Sequence, residues 1–540
     1  SATNAIPVQF STSNAPTLTN NNYFSTLNSN IIQTPNGTFT TAALTTAFPS
    51  GGGAGSLNID PQYPSSSDLH LGAAIGANTF NSTLNLTATV PVDIDNQSRN
   101  GTPDMGADEK SLNDVGVSAI IAPLTVNPGV YAIQVRIRNF GSNAVSNIPV
   151  RYSLNGGALV NETYVPSIAG NDSATYTFTT TATFIACNSI KVFTDLATET
   201  YRANDSTNLS IGPNIAGIYT INPSGSGPTN FTSFANALVF LSCGLVTAPV
   251  RFNVSAATYV EQVSIPSTIR GVSAVNTITF DGGNGNAATR ILTFAPTASP
   301  NWHVLRFDGC SNIIFRNMTI RSTNTSGSGW TAHFFNGTNN RLNNCVIDMV
   351  GNPTGNSNFS NIVINGSYTS MGTNTTIANN ILVDSCTINN GYFNIYTSAS
   401  GSGNNTFRFL YNNLTNAYQY GGYFSNNHVV KFNYNKVTLG TISTSPTGIY
   451  IINNNLSGNF FHEISNNNFN SIGVYGIYLA TSSGSSTVNS QMYNNFMNGF
   501  RYSFGTYGIF NSSSSNWNIY HNTINLDGVN TSGTSACIAL

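Results

Sequence analysis

Acidic side chains in the second half of the chain are the first candidates for chemistry. Cleavage of a polysaccharide needs clustered carboxyl groups, or carboxylates that bind calcium beside a basic side chain. The candidates include no DxD or DD pair and fall at different points of the local pattern: Asp308, Asp348, Asp384, Glu463 and Asp527. This pattern favours solvated or turn-bound carboxylates, so we predict no catalytic residue and no enzymatic activity.

The densest acidic group lies in residues 90–109. It contains Asp93, Asp95, Asp104, Asp108 and Glu109. The segment superficially resembles a calcium loop, but it lacks the Gly at the sixth position and the Glu at the twelfth position of an EF-hand. We favour a structural cap with Arg99 as the counter-ion, and a calcium site is the alternative. Asn204-Asp205-Ser206, later in the chain, is most simply a turn.

Aromatic side chains are the candidates for binding, because sugars stack on exposed rings. A cluster surrounds Gly421-Gly422, and the tryptophans are dispersed: Tyr418, Tyr420, Tyr423 and Phe424, with Trp302, Trp330 and Trp517. Rows of rings stacked inside a repetitive fold explain the cluster more simply than a binding surface does. Surface glycans therefore remain the alternative partner for these side chains.

Cysteine and histidine spacing indicates no metal site. The chain has six histidines without an HExxH motif, and six cysteines without a CxxC pair: Cys187, Cys243, Cys310, Cys345, Cys386 and Cys537. Cys345 and Cys386 occupy the same place in successive repeats, which favours a ladder of small buried residues over a disulfide. We predict no metal and no cofactor.

The composition excludes two classes of partner. Charged residues make up 7% of the 540 residues, whereas an ordinary soluble domain has about 25%. The net charge is −2 and no polybasic run exists, so the chain is not expected to bind nucleic acid. It has no apolar run of about 18 residues, which argues against membrane insertion. So little charge also gives weak resistance to self-association.

A repeat dominates the chain after residue 300. Short apolar strands end in an Asn-rich corner, and the apolar residue that closes each copy recurs at spacings of 27, 41, 26, 23, 32, 28 and 27 residues. These closing residues are Ile320, Ile347, Ile388, Leu414, Val437, Phe469, Met497 and Ile524. Such periods predict stacked turns of a solenoid in which these residues form one column. Corner asparagines fit left-handed backbone, and their amides can bond along the axis.

Three regions are predicted. Residues 1–110 are interpreted as the last turns and end cap of a β-helix. Residues 111–212 contain alternating strands such as YAIQVRIRNF (131–140) and predict a β-sandwich. Residues 213–540 open with a helix in 231–244, capped by Thr229 or Thr232 and ended by Gly244, and continue as β-helix turns. The predicted fold is therefore all-β.

Three segments resemble a known family. DIDNQSRNGTPDMGADE is similar to the end signature of many parallel β-helix domains. LNDVGVSAIIAPL with YAIQVRIRNFGSNAVSNIPVRYSLNGG resembles a CARDB immunoglobulin-like adhesion module, and GIYTINPSGSGPTNFTSFANALVFLSCG resembles a β-helix entry cap. Together they resemble the large secreted and cell-surface β-helix proteins of Bacteroidota that are exported by the type IX route. This resemblance implies right-handed parallel β-helix segments that flank an Ig-like sandwich.

The order of the regions leads to a functional hypothesis. The chain starts with the end of one β-helix and finishes inside another, like one unit of a giant tandem-repeat protein or a filament subunit. We predict an extracellular structural or adhesive protein. Its partners would be copies of itself, docked head-to-tail through end turns near Ser1 and Leu540. The alternative is a carbohydrate-active enzyme, a polysaccharide lyase or hydrolase, or a glycan-binding module on the same scaffold.

Overall fold

The computed structural model describes most of the chain from residue 113 onward and parts of the first 112 residues. After residue 113 the gaps are 186, 200–201, 284, 286, 297–298, 326, 351–355, 376, 401–404, 427, 441–442, 444, 503–504 and 529–532. Before it, the described residues are 8–9, 20–24, 32–34, 37–39, 55–63, 71, 79–82, 84–85, 87–94, 99 and 102–106. The chain forms two compact units, Ser1–Gly212 and Pro213–Leu540.

The second unit, here called the solenoid, is built from three parallel sheets that each turn of the chain visits in the same order. Sheet A has twelve strands, in spatial order Asn230–Phe231, Asn214–Ile221, Leu245–Val254, Ile278–Asp281, Ile313–Arg316, Arg341–Asn343, Ile381–Asp384, Thr406–Leu410, Val429–Asn433, Glu463–Ser465, Ser490–Tyr493 and Trp517–Tyr520.

Sheets B and C have ten strands each. Sheet B contains Ala257–Val260, Arg290–Phe294, Thr319–Ser322, Val346–Met349, Thr387–Asn389, Asn413–Thr415, Lys436–Thr438, Asn468–Asn470, Phe496–Met497 and Thr523–Ile524. Sheet C contains Val263–Pro266, His303–Asp308, Gly329–Phe335, Phe359–Asn365, Phe393–Ser398, Tyr420–Ser425, Thr447–Ile452, Tyr475–Ala480, Tyr507–Ser512 and Ala536–Ala539.

The predicted column of closing residues is confirmed. In sheet B, Ile320 pairs with Ile347, Ile347 with Ile388, and the same register continues through Leu414 to Ile524. Every side chain before Ile524 in this column is fully buried in one continuous core. Because each turn covers its neighbour's apolar face, the fold is a parallel β-helix as predicted.

Two-residue corners join sheet A to sheet B. The first corner residue has positive φ in successive turns, including Asn317 (58°) and Asn466 (57°), a backbone region that asparagine tolerates. The second points inward and repeats as Met318, Cys345, Cys386, Asn412, Asn435, Asn467, Asn495 and Asn522. Cys345 and Cys386 are free thiols, and the Cys345 amide donates to Cys386 Sγ at 3.4 Å. The small-residue ladder is therefore confirmed, and the disulfide between these two cysteines is excluded.

A helix precedes the first full turn, at Phe234–Cys243. Its N-cap is Ser233, which accepts a hydrogen bond from the Asn236 amide at 3.1 Å. The predicted caps, Thr229 and Thr232, are therefore wrong: the strand Asn230–Phe231 separates Thr229 from the helix, and Thr232 lies one residue before the N-cap. Gly244 ends the helix as predicted. A short 3-10 turn covers Ala287–Thr289.

Residues 113–212 form a β-sandwich. One antiparallel sheet contains Ser206–Ile211, Asn188–Thr194, Ile148–Leu154 and Val160–Tyr164; the others contain Val115–Ala122, Gln134–Asn139 and Ser173–Thr177, and Gly129–Tyr131 paired with Ala182–Phe184. Val135 and Ile137 are fully buried while Arg136 and Arg138 are exposed, as the alternation in this strand predicts.

The first 112 residues are described only in part. Val8–Gln9 pairs in parallel with Ile32–Thr34, which pairs antiparallel with Gly37–Phe39. Most of the region interpreted as the end of a β-helix lies outside the described residues, so that interpretation stays a prediction. Within the described residues, no helix has the length and hydropathy needed to cross a bilayer.

Candidate functional site

The candidate carboxylates of the solenoid are spread over all three sheets. Asp384 and Glu463 lie on sheet A, Asp348 lies on sheet B and Asp308 lies at the end of a sheet C strand. Asp527 follows the last strand of sheet B and accepts hydrogen bonds from the Gly499 and Phe500 amides. Carboxyl groups on different sheets point in different directions, so these five do not converge on one groove.

Basic side chains neutralise three of these carboxylates. Arg341 donates to both oxygens of Asp384 at 2.7 and 2.6 Å, and Arg321 Nε donates to Asp348 at 2.9 Å. Lys431 Nζ lies 3.6 Å from Glu463. Each pair joins adjacent turns, so these ion pairs link neighbouring turns of the solenoid.

Asp281 is the most buried carboxylate of the solenoid, and it is not one of the candidates predicted from the sequence. Its side chain is 1% exposed and lies 2.8 Å from Arg251 and 2.7 Å from Arg316. Although burial alone raises its pKa, hydrogen bonds from Asn317, Gly283 and Arg316 hold the pKa of Asp281 below its ordinary value. The sequence gives little indication of this ion pair, because Asp281 and Arg316 are 35 residues apart.

Asp308 is the one candidate carboxylate at the aromatic part of the molecule. It accepts hydrogen bonds from the hydroxyls of Tyr368 (2.7 Å) and Ser264 (3.2 Å). Arg306, two residues earlier on the same strand, lies with its guanidinium 4.3 Å from the Tyr368 ring and donates to Pro300 O at 2.9 Å. This group has a cation and hydroxyls but a single carboxylate, whereas glycosidases generally use two.

The outer side of sheet C carries a continuous aromatic surface, here called the aromatic face. It contains Phe393, Tyr396, Tyr420, Tyr423, Tyr450, Tyr475, Tyr478, Tyr507 and Phe510. Phe393 and Tyr396 are buried, and the others are half-buried. Rings of neighbouring turns are in contact. The ring centroids of Tyr396 and Tyr423 are 5.3 Å apart, and those of Tyr450 and Tyr478 are 4.5 Å apart.

The interpretation of the tyrosines as interior rows is partly wrong. Phe424 is fully buried in the solenoid core, as predicted. Tyr420 and Tyr423 instead pack in the outer cluster around Trp330. Tyr418 packs against Tyr392, 5.5 Å between ring centroids.

The remaining tyrosines of the aromatic face were not singled out as binding candidates. Their signal was the recurring strand pattern TGIYI, YGIYL and YGIF, in which the residue after the inward isoleucine is always aromatic. The three tryptophans occupy different places: Trp302 and Trp330 contact each other at 5.3 Å, and Trp517 donates to Ser482 O from the last strand of sheet A.

The aromatic face is uncharged at neutral pH. Burial, together with nearby phenols, raises the pKa of Tyr420 to about 12 and also raises that of Tyr423 and Tyr450. The five strands that carry the face contain no Asp, Glu, Lys or Arg. The surface therefore presents aromatic rings and neutral hydroxyls.

The acidic segment 90–109 is described only in part, because Asp95, Asp108 and Glu109 lie outside the described residues. Arg99 donates to the carbonyl oxygens of Asp104 (2.9 Å) and Gly106 (2.7 Å). Arg99 thus fastens this segment through its backbone, and the choice between a cap and a calcium site stays a prediction.

Comparisons with known proteins give one family match and several structural likenesses. Residues 112–209 match the CARDB family model, and no curated protein matches the chain. Solved structures similar to this chain include pectin methylesterase PemA from Erwinia chrysanthemi, 10% identical with a TM-score of 0.26, over 58% of this chain and 93% of that one.

Two further structures are similar to a comparable degree. The Gp54 tailspike of Acinetobacter baumannii bacteriophage AP22 is 9% identical with a TM-score of 0.27, over 81% of this chain and 66% of that one. The catalytic domain of a GH87 α-1,3-glucanase is 10% identical with a TM-score of 0.18, over 78% and 97%. Likenesses at this level carry no inference about activity.

Proposed function

We propose that this chain is a structural or adhesive protein of the cell exterior, with the aromatic face as its contact surface. The observation that carries the proposal is the run of five successive sheet C strands without a charged residue. Contiguous apolar surface of this kind is typical of interaction sites, and tyrosine is enriched in them.

An exterior location is supported by the composition of the chain. Asn, Ser, Thr and Gly rather than charged residues provide the polar surface. Export by the type IX route and a tandem-repeat parent protein belong to the same proposal.

A glycan-binding or carbohydrate-active module is the second candidate, because Asp308, with Arg306 and Tyr368 beside it, lies on the same sheet as the aromatic face. Some of the rings stack face to face along the solenoid, as Tyr396 does on Tyr423 with only 5° between their planes, whereas others meet edge to face, as Tyr423 and Tyr450 do. Where the rings stack, their faces are occupied, and a glycan would contact ring edges and phenol hydroxyls.

Head-to-tail docking of copies through end turns near Ser1 and Leu540 stays a prediction. Ser1 lies outside the described residues. Low net charge supports self-association in general. Analytical ultracentrifugation with electron microscopy tests it: filaments with one copy per axial repeat are expected, and monodisperse monomers at all concentrations contradict it.

The adhesive proposal is tested by retention of chain-coated beads on epithelial cell layers and on films of pectin and α-1,3-glucan. The variant Tyr450→Ser/Tyr478→Ser removes two touching rings from the aromatic face. We expect retention to fall by about tenfold or more, the effect of losing a central aromatic contact.

A matched control exists on another surface. Tyr411 and Tyr434 also stack, 4.8 Å apart, and are 60% and 50% exposed at the corners between sheets A and B. Tyr411→Ser/Tyr434→Ser should leave retention unchanged, and Ser385 already occupies the same corner position. Equal losses in both variants contradict a contact role for the aromatic face. Release of reducing ends or methanol from the films contradicts the non-enzymatic proposal.

A further inference from the structure

An open groove lies on the outer side of sheet A, on a different sheet from the aromatic face. Its volume is about 450 Å³, and its lining comes from four successive strands and the two corners that follow the last two of them. The lining residues are Arg251, Asp281, Arg316, Asn317, Asn343 and Asn344. Each of these side chains is charged or carries an amide, so the groove suits a polar ligand.

Two guanidinium groups share one carboxylate in this groove. Arg251 Nη2 lies 2.8 Å from Asp281 Oδ2, and Arg316 reaches the same oxygen through Nε at 2.8 Å and Nη2 at 2.7 Å. Asp281 Oδ1 accepts hydrogen bonds from Asn317 Nδ2 and the Gly283 amide, both at 2.7 Å. Both oxygens of Asp281 are therefore bonded, and the two arginines leave one positive charge uncompensated.

The uncompensated charge faces solvent. The Arg251 and Arg316 side chains are 43% and 38% exposed, whereas the Asp281 side chain is 1% exposed. A guanidinium group has five N–H donors, and Asp281 engages one nitrogen of Arg251 and two of Arg316. An anion can therefore bind to the arginines from the groove without breaking their contacts with Asp281.

Positive charge also exceeds negative charge further along the same side of sheet A. Arg341 is paired with Asp384, and Lys431 with Glu463. Arg408 lies directly beside Lys431 in the paired register and donates to a neutral amide oxygen. With the groove included, five cations and three carboxylates lie on the outer side of sheet A, which leaves a net charge of +2.

The two units of the chain differ in charge. Residues 213–540 contain 11 Lys and Arg and 7 Asp and Glu, whereas residues 1–212 contain 7 Lys and Arg and 13 Asp and Glu. The solenoid is thus basic, although the whole chain has a net charge of −2. Because an excess of one charge attracts ligands of the opposite charge, the outer side of sheet A suits an anionic partner.

The spacing of the excess charges indicates which polyanion fits. Neighbouring strands are about 4.8 Å apart, so Asp281 and Arg408, four strands apart in sheet A, are roughly 19 Å apart along the solenoid. Double-stranded DNA carries one negative charge per about 1.7 Å of its axis, which is far denser. A glycan in which acidic and neutral sugars alternate is a better match, and its hydroxyls can bond to the Asn343 and Asn344 amides.

We propose that the outer side of sheet A binds an acidic glycan, with a carboxylate or sulfate group of the glycan on Arg251 and Arg316. Arginine suits this role because its planar guanidinium pairs with such anions through two parallel hydrogen bonds. The site lies outside the aromatic face and is independent of the adhesive function proposed above. The variant Tyr450→Ser/Tyr478→Ser should therefore keep its affinity for the glycan.

The test measures binding of the full chain to immobilised hyaluronan by biolayer interferometry at about 50 mM NaCl. We expect saturable binding that weakens by about tenfold or more at about 0.5 M NaCl, because salt screens exposed charges. Neutral dextran and double-stranded DNA should bind at least about tenfold more weakly. Keratan sulfate, which has sulfate groups and no carboxylate, shows by its affinity relative to hyaluronan which anionic group the arginines prefer.

Two variants test the groove itself. Arg251→Gln removes one guanidinium while Arg316 continues to hold Asp281, and affinity should fall by about tenfold, the effect of losing a charged hydrogen bond. Thr279→Glu keeps both arginines and adds a carboxylate at a half-buried position that pairs with Arg251; it should lower affinity at least as much. Urea unfolding shows that each variant is folded.

Lys436→Gln is the matched control, because Lys436 is exposed on sheet B and its loss changes the net charge by the same amount. It should keep the affinity of the unmodified chain. The proposal is overturned if the unmodified chain binds neither hyaluronan nor keratan sulfate, or if DNA binds as tightly as the glycans. Equal losses in Arg251→Gln and Lys436→Gln, or full affinity in folded Thr279→Glu, would also overturn it.

Discussion

Buried asparagines occur in both the sandwich and the solenoid, but their hydrogen bonds come from different places. In the sandwich, Asn139 bonds to the carbonyl oxygens of Asn143 and Ile168 and to the Gly141 amide, mostly within its own loop. In the solenoid, Asn435 bonds to asparagines 23 residues before it and 32 residues after it. A polar side chain thus serves one loop in the first case and several turns in the second.

This difference follows from the two architectures. An antiparallel sandwich places its polar groups at strand ends, where loops can turn back to meet them. A solenoid repeats the same environment in every turn, so a side chain that bonds to its own copy can propagate along the axis. We therefore expect polar substitutions inside the solenoid to have larger effects than comparable ones in the sandwich.

The largest expected effect comes from Asn435→Ala. The Asn412 amide and side chain both donate to Asn435 Oδ1, at 2.9 and 3.0 Å, and Asn435 Nδ2 donates to Phe409 O. Removal of the Asn435 side chain leaves these buried groups without hydrogen-bond partners. The solenoid should therefore lose about 3–5 kcal/mol of unfolding free energy. Urea unfolding followed by tryptophan fluorescence measures it, because all three tryptophans lie in the solenoid.

Asn466→Gly is the control for this ladder. Asn466 is the neighbouring corner residue with φ of 57°, a conformation that glycine adopts without strain. Its side chain is half-buried and exchanges hydrogen bonds with Ser465 (3.1 Å) and Asn494 (3.3 Å) that water can replace, so the change should cost less than about 1 kcal/mol. Similar losses for the two variants would show that the column of amides does not stabilise the solenoid.

The ladder and the sheet B column were predictable because each repeats a residue type at a fixed place in the turn. Strict alternation along the strand does not predict on which side of sheet C the Tyr420 and Tyr423 side chains lie. The paired register of this strand skips Gly421, and a Cβ at Gly421 or Gly422 would contact core side chains. Two successive residues therefore face inward, which breaks the two-residue period on which the interpretation relied.

Contacts between distant segments were also hidden in the sequence. Asp205 belongs to an Asn-Asp-Ser run that is typical of turns, and only the fold brings it to Asp114, 91 positions earlier. Asp281 is similar, because its partners come from the turns before and after it. The helix start shifted for a local reason, since Phe231 pairs in a strand before Ser233 caps the helix.

Acid should destabilise the solenoid at a higher pH than the sandwich. The effect should be smaller than that of Asn435→Ala. His462 is fully buried: its Nδ1 accepts from the Val430 amide at 3.2 Å, and its Nε2 lies 3.2 Å from Asn454 O. Burial lowers the pKa of His462 to about 3. The folded state therefore favours the neutral ring, so stability is complete above pH 6.5 and falls as the pH drops toward 3.

The expected loss is about 2 kcal/mol from this group between pH 6.5 and pH 5. Urea unfolding at several pH values, again by tryptophan fluorescence, measures it in the unmodified chain and in His462→Gln, whose profile should be flatter. His521 is exposed, and His521→Gln should leave the profile unchanged. An unchanged profile in His462→Gln would mean that this ring is not kept neutral by the fold.

Acid should destabilise the sandwich only at lower pH, and by a smaller amount than the solenoid. Residues 113–212 contain no histidine, and the most strongly hydrogen-bonded carboxylate there is Glu162. Burial alone would raise the pKa of Glu162. Hydrogen bonds from Tyr176, Thr179 and Thr180 outweigh burial and lower this pKa to about 2. Its contribution is present above pH 4.5 and is lost as the pH falls toward 2.

Because Glu162 is only half-buried, screening by solvent should reduce this contribution to about 1 kcal/mol. Glu162→Gln should therefore destabilise the sandwich by about this amount at pH 7 and by almost nothing near pH 2. Hydrogen exchange of the sandwich strands at each pH measures the change apart from the solenoid. An equal loss at both pH values would assign the effect to packing rather than to the charge, and the sandwich would then resemble the solenoid in depending on buried hydrogen bonds.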